Sequence, residues 1–133
     1  MTAVTATVAG IKVVDGENDP ATSSKYVNVL LLVHNGSTQV AGGTDTLDVA
    51  VNTALSNYFR SGETFTLRAA AIAKPAQSNG TVYAGTISLS GSTVSITPKT
   101  ESDWSTNATI AASALIGLGR YAGYLLFCTV EVT

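Results

Sequence analysis

Residues 82–96 form the stretch that decides the fold, and in one-letter code they are VYAGTISLSGSTVSI. Two runs of strand-forming residues, 82–89 and 94–96, flank the tripeptide Ser90-Gly91-Ser92. A short turn that contains Gly between two such runs is typical of a β-hairpin. The stretch therefore predicts two antiparallel strands joined by a tight turn.

Four further segments have the composition and spacing of strands, at residues 4–14, 26–33, 64–73 and 121–132. In the second of them, Leu30-Leu31-Leu32 predicts burial on both faces and hence a central position in a sheet. Turn-forming residues separate the strands: residues 15–20, Asn35-Gly36, Lys74-Pro75, Asn79-Gly80 and Pro98. We expect residues 108–118 to form either a short helix or a loop over the core.

The segment 46–60 has a helical period instead. Its large apolar residues recur at every fourth position: Leu47, Val51, Leu55 and Phe59. Thr44 or Asp45 is placed to cap the start of this helix, and Ser61-Gly62 is placed to end it. The patterns together predict a mainly β protein, an antiparallel β-sandwich of about six to eight strands with one α-helix at roughly residues 46–60. The helix is expected at one end of the sandwich or as a crossover, in a single domain over residues 1–133.

Hydroxyl side chains replace charge on the predicted surface. Charged residues are 12% of the chain, where soluble domains average about 25%, whereas Ser and Thr together are 32 of 133 residues. Ordering such short side chains costs little conformational entropy, so this surface suits a protein that joins an assembly. The alternative is a Thr-rich sheet protein without that role, because Thr favours strands.

Charge and hydropathy argue against nucleic-acid and membrane partners. The net charge is −2 and the seven basic residues are scattered, so the electrostatic footprint of nucleic-acid binding is missing. The longest apolar run, residues 29–33, is far shorter than the roughly 20 residues that span a bilayer. The first residues lack the pattern of a signal peptide and Cys128 is the only cysteine, which together predict synthesis in a reducing compartment.

The sequence shows no pattern of catalytic residues. His34 is the only histidine and ends an apolar run before a turn, so we expect a structural or surface role for it. Cys128 lies in an apolar run and is expected to be a small buried side chain. One His and one Cys do not make a four-ligand zinc site without carboxylates or a partner chain. The sequence therefore predicts no enzyme activity, no catalytic, cofactor-binding or metal-binding residues, and no cofactor.

Two local groups of acidic residues need a separate interpretation. The first is Asp15-x-Glu17-x-Asp19, which resembles half of a calcium loop. The bidentate Glu of such a loop is missing, because position 26 is Tyr, so we expect a solvated turn. In the second group, Glu101 and Asp103 lie just before Trp104, which either stacks on a sugar ring or, more commonly, plugs the end of a core. Residues 117–123 resemble a phosphate loop only faintly, because they precede a strand and lack the Lys-Ser/Thr pair.

Three stretches in the middle half of the chain resemble small structural proteins of tailed bacteriophages. They are residues 60–68 (RSGETFTLR), 79–85 (NGTVYAG) and 89–94 (LSGSTV). The shared features are an Ala-rich capped helix, a Gly-Glu-Thr sequence after it, and paired hairpins of Thr, Ser and Val. The resemblance carries over no functional residue. It implies a virion part that is made in the cytoplasm of a bacterial host.

Within that class the resemblance implies a capsid decoration or cement subunit. Such a virion structural protein binds the assembled phage shell, through the major capsid protein or another virion protein, and stabilises it by surface contacts. We expect a homo-oligomer, with a trimer favoured by analogy with decoration proteins, because long strands at both termini would otherwise leave unpaired edges. The alternative is a carbohydrate- or ligand-binding β-sandwich, such as a tail or fibre accessory, with Trp104 and Tyr121 or Tyr124 as binding platforms.

Overall fold

The structure is a computed structural model that describes residues 2–18, 25–58, 62–78, 80–116 and 122–133. In these ranges the strands are β1 (Thr2–Thr5), β2 (Thr7–Asn18), β3 (Lys25–His34), β4 (Asp45–Ala50), β5 (Phe65–Lys74), β6 (Ala76–Ser78), β7 (Thr81–Ser90), β8 (Thr93–Thr100) and β9 (Tyr124–Val132). One sheet has the order β1-β4-β8-β7-β6, and the other has the order β2-β3-β9-β5. Paired strands run antiparallel, except that β1 is parallel to β4.

The two sheets enclose one apolar core, which confirms the predicted antiparallel β-sandwich. The core follows from the period of two in a strand, since alternate residues of β9 are buried from Tyr124 to Val132. Both sheets contribute fully buried side chains: Leu31 and Val33 of β3, Leu47 and Val49 of β4, Val94 and Ile96 of β8, and Leu126 and Val130 of β9. The hairpin predicted at residues 82–96 is also confirmed, with Gly91 at a φ of 59° in the turn between β7 and β8.

The described ranges hold nine strands, where six to eight were expected, and the N-terminal segment accounts for one of the additions. The segment predicted as one strand at residues 4–14 is two strands, which separate at Ala6. Before this residue β1 pairs with β4 in the five-stranded sheet, and after it β2 pairs with β3 in the four-stranded sheet. The short strand β6, directly after Pro75, is a second addition. The chain therefore contributes its N-terminal segment to both layers.

The predicted helix at residues 46–60 is wrong in its first part. Residues Asp45–Ala50 form strand β4, and only Val51–Leu55 form an α-helix, α1, which a 3-10 turn at Ser56–Tyr58 extends. The spacing of four between Leu47 and Val51 indicated a helix, but Val49 between them is also fully buried. Inward residues at every second position are the pattern of a strand. The helix α1 is a crossover, because it leads from β4 in the five-stranded sheet to β5 in the four-stranded sheet.

The predicted cap at Thr44 or Asp45 is wrong for the same reason. The residue that precedes α1 is Ala50, which makes no capping hydrogen bond through its side chain. The Asp45 carboxylate instead accepts a hydrogen bond of 2.9 Å from the backbone N–H of Ala41. It therefore fixes the turn that leads into β4 rather than the start of a helix.

Two predicted loop positions lie inside strands. Residues 15–18 belong to β2, whereas Asp19 and Pro20 fall outside the described residues. Pro98 lies within β8, opposite Gly85 of β7. The ladder between β8 and β4 ends at Ile96, so the missing N–H of Pro98 removes no hydrogen bond on that side of the strand.

The segment from 108 to 116 is a loop that covers the core, with no helix. Ile110 pairs with Val40 in an isolated antiparallel bridge, and the side chains of both residues are fully buried. Leu115 is fully buried further along the loop. Asn35 also holds this loop in place. Its side-chain amide donates hydrogen bonds of 2.8 Å to the carbonyl of Thr38 and of 3.0 Å to the carbonyl of Ala111. Residues 117 and 118, which complete the predicted segment, fall outside the described residues.

The C-terminal strand is not an unpaired edge, which corrects the expectation for the termini. Strand β9 lies in the middle of the four-stranded sheet, between β3 and β5. It begins at Tyr124, and Tyr121 falls outside the described residues. The N-terminal strands do lie at edges, β1 in one sheet and β2 in the other. Strand β3 is central, between β2 and β9, as the leucine run at residues 30–32 predicts.

Candidate functional site

The outer faces of the two sheets differ in chemistry. In the five-stranded sheet, Val94 and Ile96 of β8 are fully buried, so the residues between and beyond them point away from the core. These outward positions and their partners on β7 are hydroxyl residues, in the pairs Ser88–Ser95 and Thr86–Thr97. This face has the short polar side chains that the composition predicts for a solvated sheet.

The outer face of the four-stranded sheet is apolar at its centre. Leu31 of β3 and Leu126 of β9 are fully buried, so their neighbours on each strand point outward. These neighbours form two cross-strand pairs. We call them the outer apolar patch: Leu30 with Phe127, and Leu32 with Leu125. Leu32 is buried among its neighbours, and the other three side chains are half-buried. No third sheet of described strands packs on this face, because the described strands belong to two sheets.

Two lysines border the outer apolar patch. A groove of about 430 Å³ is lined by Leu30, Leu32 and Leu125 together with Lys12 of β2 and Lys74 of β5. The Lys74 ammonium donates hydrogen bonds of 3.0 Å to the Gly123 carbonyl and 3.1 Å to the Pro75 carbonyl. Its partial burial lowers the pKa of Lys74 from its ordinary value. The rim of the patch on this side is therefore basic.

A polar row borders the patch on its other side. Asn28 of β3 pairs with Thr129 of β9 and with Asp15 of β2. The Asn28 amide donates to the Asp15 carboxylate, and its oxygen accepts a hydrogen bond of 2.6 Å from the Thr129 hydroxyl. Beyond this row, Arg68 forms an ion pair of 2.6 Å with Glu131. The patch is thus bordered on this side by polar groups that bind one another.

Of the three acidic side chains in the motif at residues 15–19, the structure describes only that of Asp15. The Asp15 carboxylate accepts the hydrogen bond from Asn28, while the Glu17 side chain and Asp19 fall outside what the structure describes. Within the described ranges, no group of three or more His, Cys, Asp or Glu side chains is placed to hold a metal ion.

His34 and Cys128 lie apart. The backbone N–H of Gly36 donates a hydrogen bond of 3.0 Å to Nδ1 of His34, so one imidazole nitrogen serves the turn after β3. Cys128 is fully buried, as predicted, and burial raises the pKa of its thiol to about 11. Cys128 pairs with Val29, which precedes His34 by about 16 Å along β3 at the usual rise of a strand. The two side chains therefore form no nucleophile–base pair.

Of the three aromatic residues expected as binding platforms, the structure describes Tyr124 and Trp104. Tyr124 is fully buried, and its hydroxyl donates a hydrogen bond of 3.0 Å to the Ala84 carbonyl, so it is not a surface platform. Tyr121 falls outside the described residues. Trp104 is 60% exposed, so the expectation that it plugs the end of the core is wrong.

Trp104 lies on a loop that is fixed by hydrogen bonds. The Asp103 carboxylate accepts three of them, from the N–H and the hydroxyl of Ser105 and from the hydroxyl of Thr106. These bonds lower the pKa of Asp103 to about 2, and the two bonds from Ser105 contribute most to this change. The Thr100 hydroxyl donates to the Asp103 carbonyl at 2.8 Å, and Lys99 pairs with Asn107 in a bridge at the base of the loop.

The sequence contains a signal for the outer apolar patch, although the leucine run alone was interpreted only as a central strand. Residues 29–33 of β3 and 124–128 of β9 are both continuous apolar runs. Two such strands side by side are apolar on both faces, and a two-layer sandwich covers only one of them. The sequence does not show which strands are neighbours in a sheet.

No helix among the described residues is long and apolar enough to cross a membrane. Comparisons of the chain with protein-family models, with curated proteins and with solved structures found no match.

Proposed function

We propose that this chain is a virion structural protein, a decoration or cement subunit that binds the assembled shell of a tailed bacteriophage and stabilises it by surface contacts. The observation that carries the proposal is the outer apolar patch. It lies on the outer face of the four-stranded sheet, which no third sheet of described strands covers, while the opposite outer face carries Ser and Thr. An apolar patch on the outer face of a small domain is a candidate interaction surface.

The energetics favour attachment of this face to a partner. Covering apolar surface contributes roughly 25 cal/mol per Å². The patch side chains stand on two central strands and are held in place by pairing on both sides, so docking orders little that is not already ordered. The hydroxyl side chains elsewhere on the surface also lose little entropy when they are covered.

The border of the patch defines the chemistry of the partner surface. Lys12 and Lys74 line its groove, so a partner that covers it brings an apolar surface with carboxylates opposite these two ammonium groups. In this proposal the partner is the major capsid protein or another virion protein. Neither nucleic acid nor lipid is needed as a partner.

We also propose that the subunit is a homo-oligomer, with a trimer favoured by the phage resemblance. The C-terminal strand does not support this, because β9 is paired on both sides. The edge strands β1 and β2 do, since each has pairing on one side only among the described strands. Sedimentation equilibrium of the purified chain is expected to give a mass of three chains. A strict monomer that also fails to bind shells counts against the whole proposal.

Electron microscopy of phage particles with and without the protein tests the function directly. Particles that contain the chain are expected to show additional density at repeated positions on the shell, and to resist heat better than particles that lack it. Identical shells, with the protein located in neither head nor tail, would overturn the proposal.

A further inference from the structure

The loop at residues 101–107 combines one large exposed aromatic ring with polar neighbours. Its sequence is Glu-Ser-Asp-Trp-Ser-Thr-Asn, and all seven residues are exposed. Trp104 is the only apolar residue among them, with 60% of its surface exposed. An indole ring exposed to water lacks the stabilisation that packing it against the core would provide. The conformation of the loop therefore keeps the Trp104 ring exposed to solvent.

The hydrogen bonds within the loop explain how this exposure is maintained. Asp103, next to Trp104, accepts from Ser105 and Thr106, and its carbonyl accepts from the Thr100 hydroxyl at 2.8 Å and from the Thr106 N–H at 3.0 Å. The Thr100 N–H donates to the Thr106 carbonyl at 2.9 Å, which closes the loop at its base. Because the backbone on both sides of Trp104 is fixed, a ligand that stacks on the ring orders little of the protein.

Two polar groups of the loop belong to exposed residues, the Glu101 carboxylate and the Trp104 indole N–H. Both are therefore accessible to a ligand. Glu101 and Ser102 precede Trp104 by three and two residues and line a groove of about 360 Å³ together with Thr81, Tyr83 and Thr100; Trp104 itself does not line it. The loop thus carries an acceptor and hydroxyl groups at the groove, and an exposed ring a few residues further along the chain.

We infer that this loop and its groove bind a saccharide, with Trp104 stacking on the apolar face of a sugar ring and Glu101 accepting hydrogen bonds from sugar hydroxyls. A pyranose ring has one face of C–H groups and a periphery of hydroxyls, which matches a single aromatic plane surrounded by polar groups. A protein partner is matched less well. Aromatic anchors in protein interfaces are surrounded by contacts that exclude water, and the neighbours of Trp104 are exposed polar residues. This site is separate from the outer apolar patch.

Trp104 is the only tryptophan in the chain, so its fluorescence reports on this one site. The purified full-length chain is to be titrated with oligomers of N-acetylglucosamine, glucose, mannose and galactose, and applied to a glycan array. At least one oligosaccharide is expected to shift or quench the emission. Calorimetric affinity for it is expected to fall roughly tenfold or more in Trp104→Ala and less in Trp104→Phe. Glu101→Gln should weaken it severalfold.

Tyr58→Ala is the matched control, since Tyr58 is an aromatic residue of similar exposure, 55%, outside the loop. Its sugar affinity is expected to equal that of the wild type. Because Trp104 and Glu101 are both exposed, all these variants are expected to keep the thermal midpoint of the wild type.

Two results would overturn the inference. One is the absence of any fluorescence change and of any retained glycan across these sugars. The other is sugar binding that Trp104→Ala leaves unchanged. If Trp104→Ala weakens binding to phage shells while no sugar binds, the loop contacts protein and the inference also fails. The shell-binding proposal is judged separately, because it depends on residues of the outer apolar patch.

Discussion

The hydroxyl of Tyr124 donates a hydrogen bond of 3.0 Å to the backbone carbonyl of Ala84, which connects the middle of the four-stranded sheet to β7 of the five-stranded sheet. The ring is fully buried and burial raises the pKa of the phenol above its usual range, so it is a neutral donor at neutral and mildly alkaline pH. The hydrogen bond of Tyr124 thus fixes the distance between the two sheets at one point.

Replacing Tyr124 by Phe should lower the free energy of unfolding by about 1 kcal/mol, because it removes this hydrogen bond and leaves the core packing intact. Urea denaturation measures the change. Tyr58→Phe, at an exposed tyrosine, is the control and should change the stability by less than about 0.5 kcal/mol. Equal stabilities for Tyr124→Phe and the wild type would show that the bond contributes nothing to the packing of the two sheets.

Gly123, just before β9, allows that strand to approach β3 closely. A Cβ at this position would overlap the backbone carbonyl oxygen of Val33. Gly123→Ala should therefore destabilise the protein by about 3 kcal/mol or prevent folding, since the clash is with backbone that pairing holds in place. At Gly10 a Cβ would meet only Leu32 at 3.8 Å, so Gly10→Ala should be nearly neutral. Thermal denaturation of both variants tests the contrast, and two equally stable variants would contradict it.

Cys128 should be inert towards thiol reagents in the folded protein. Its thiol is buried and its pKa is about 11, so at pH 8 it is both inaccessible and protonated. A colorimetric disulfide reagent is expected to react only after guanidinium is added. The variant Ser88→Cys places a second thiol on an exposed strand position and should react at once with one equivalent. Rapid modification of the native wild type would mean that β9 opens readily.

The Asp103 carboxylate should stop stabilising the Trp104 loop only in strong acid. The folded pKa of Asp103, about 2, lies below its ordinary value of 3.8, so the ionised carboxylate stabilises the loop above about pH 4. This contribution is lost as the pH falls through about 2. Carboxyl NMR titration should show that midpoint, and Ser105→Ala should raise it towards 3.8. Thr100→Val is the control, because the Thr100 hydroxyl binds the Asp103 carbonyl and not its carboxylate; an equal rise in both variants would contradict the assignment.

Local sequence patterns predict the elements that depend on neighbouring residues. Local alternation predicted the hairpin of β7 and β8, and the leucine run predicted the central place of β3. The segment at 45–50 was misassigned because Leu47 and Val51 fit a helix and a strand equally well, and pairing with β8 decides in favour of the strand. Local propensity does not record such non-local pairing.

The candidate sites were predicted less well than the fold, for a related reason. The outer apolar patch exists because β3 and β9 are neighbours, although 101 residues separate Asn28 from its partner Thr129. No local pattern reveals that contact. The exposure of Trp104 likewise depends on the hydrogen bonds of Asp103 within the loop, and an isolated Trp in a polar stretch is equally consistent with a core plug.

The central claim is that the outer apolar patch is the surface that docks on the shell, and a matched pair of charge substitutions tests it. Ala71 is exposed on β5 beside Phe127, and Ser88 is exposed on β7 in the opposite outer face. Ala71→Glu places a carboxylate beside Phe127, at the border of the outer apolar patch, where a docked partner would bury it, while Ser88→Glu places the same charge on the hydroxyl face.

The decisive measurement is cosedimentation of each purified variant with phage shells prepared without the protein. Ala71→Glu is expected to bind at least tenfold more weakly than the wild type, and Ser88→Glu within twofold of it, with both variants folded by circular dichroism. Equal binding by Ala71→Glu and the wild type, or a loss confined to Ser88→Glu, would contradict the account.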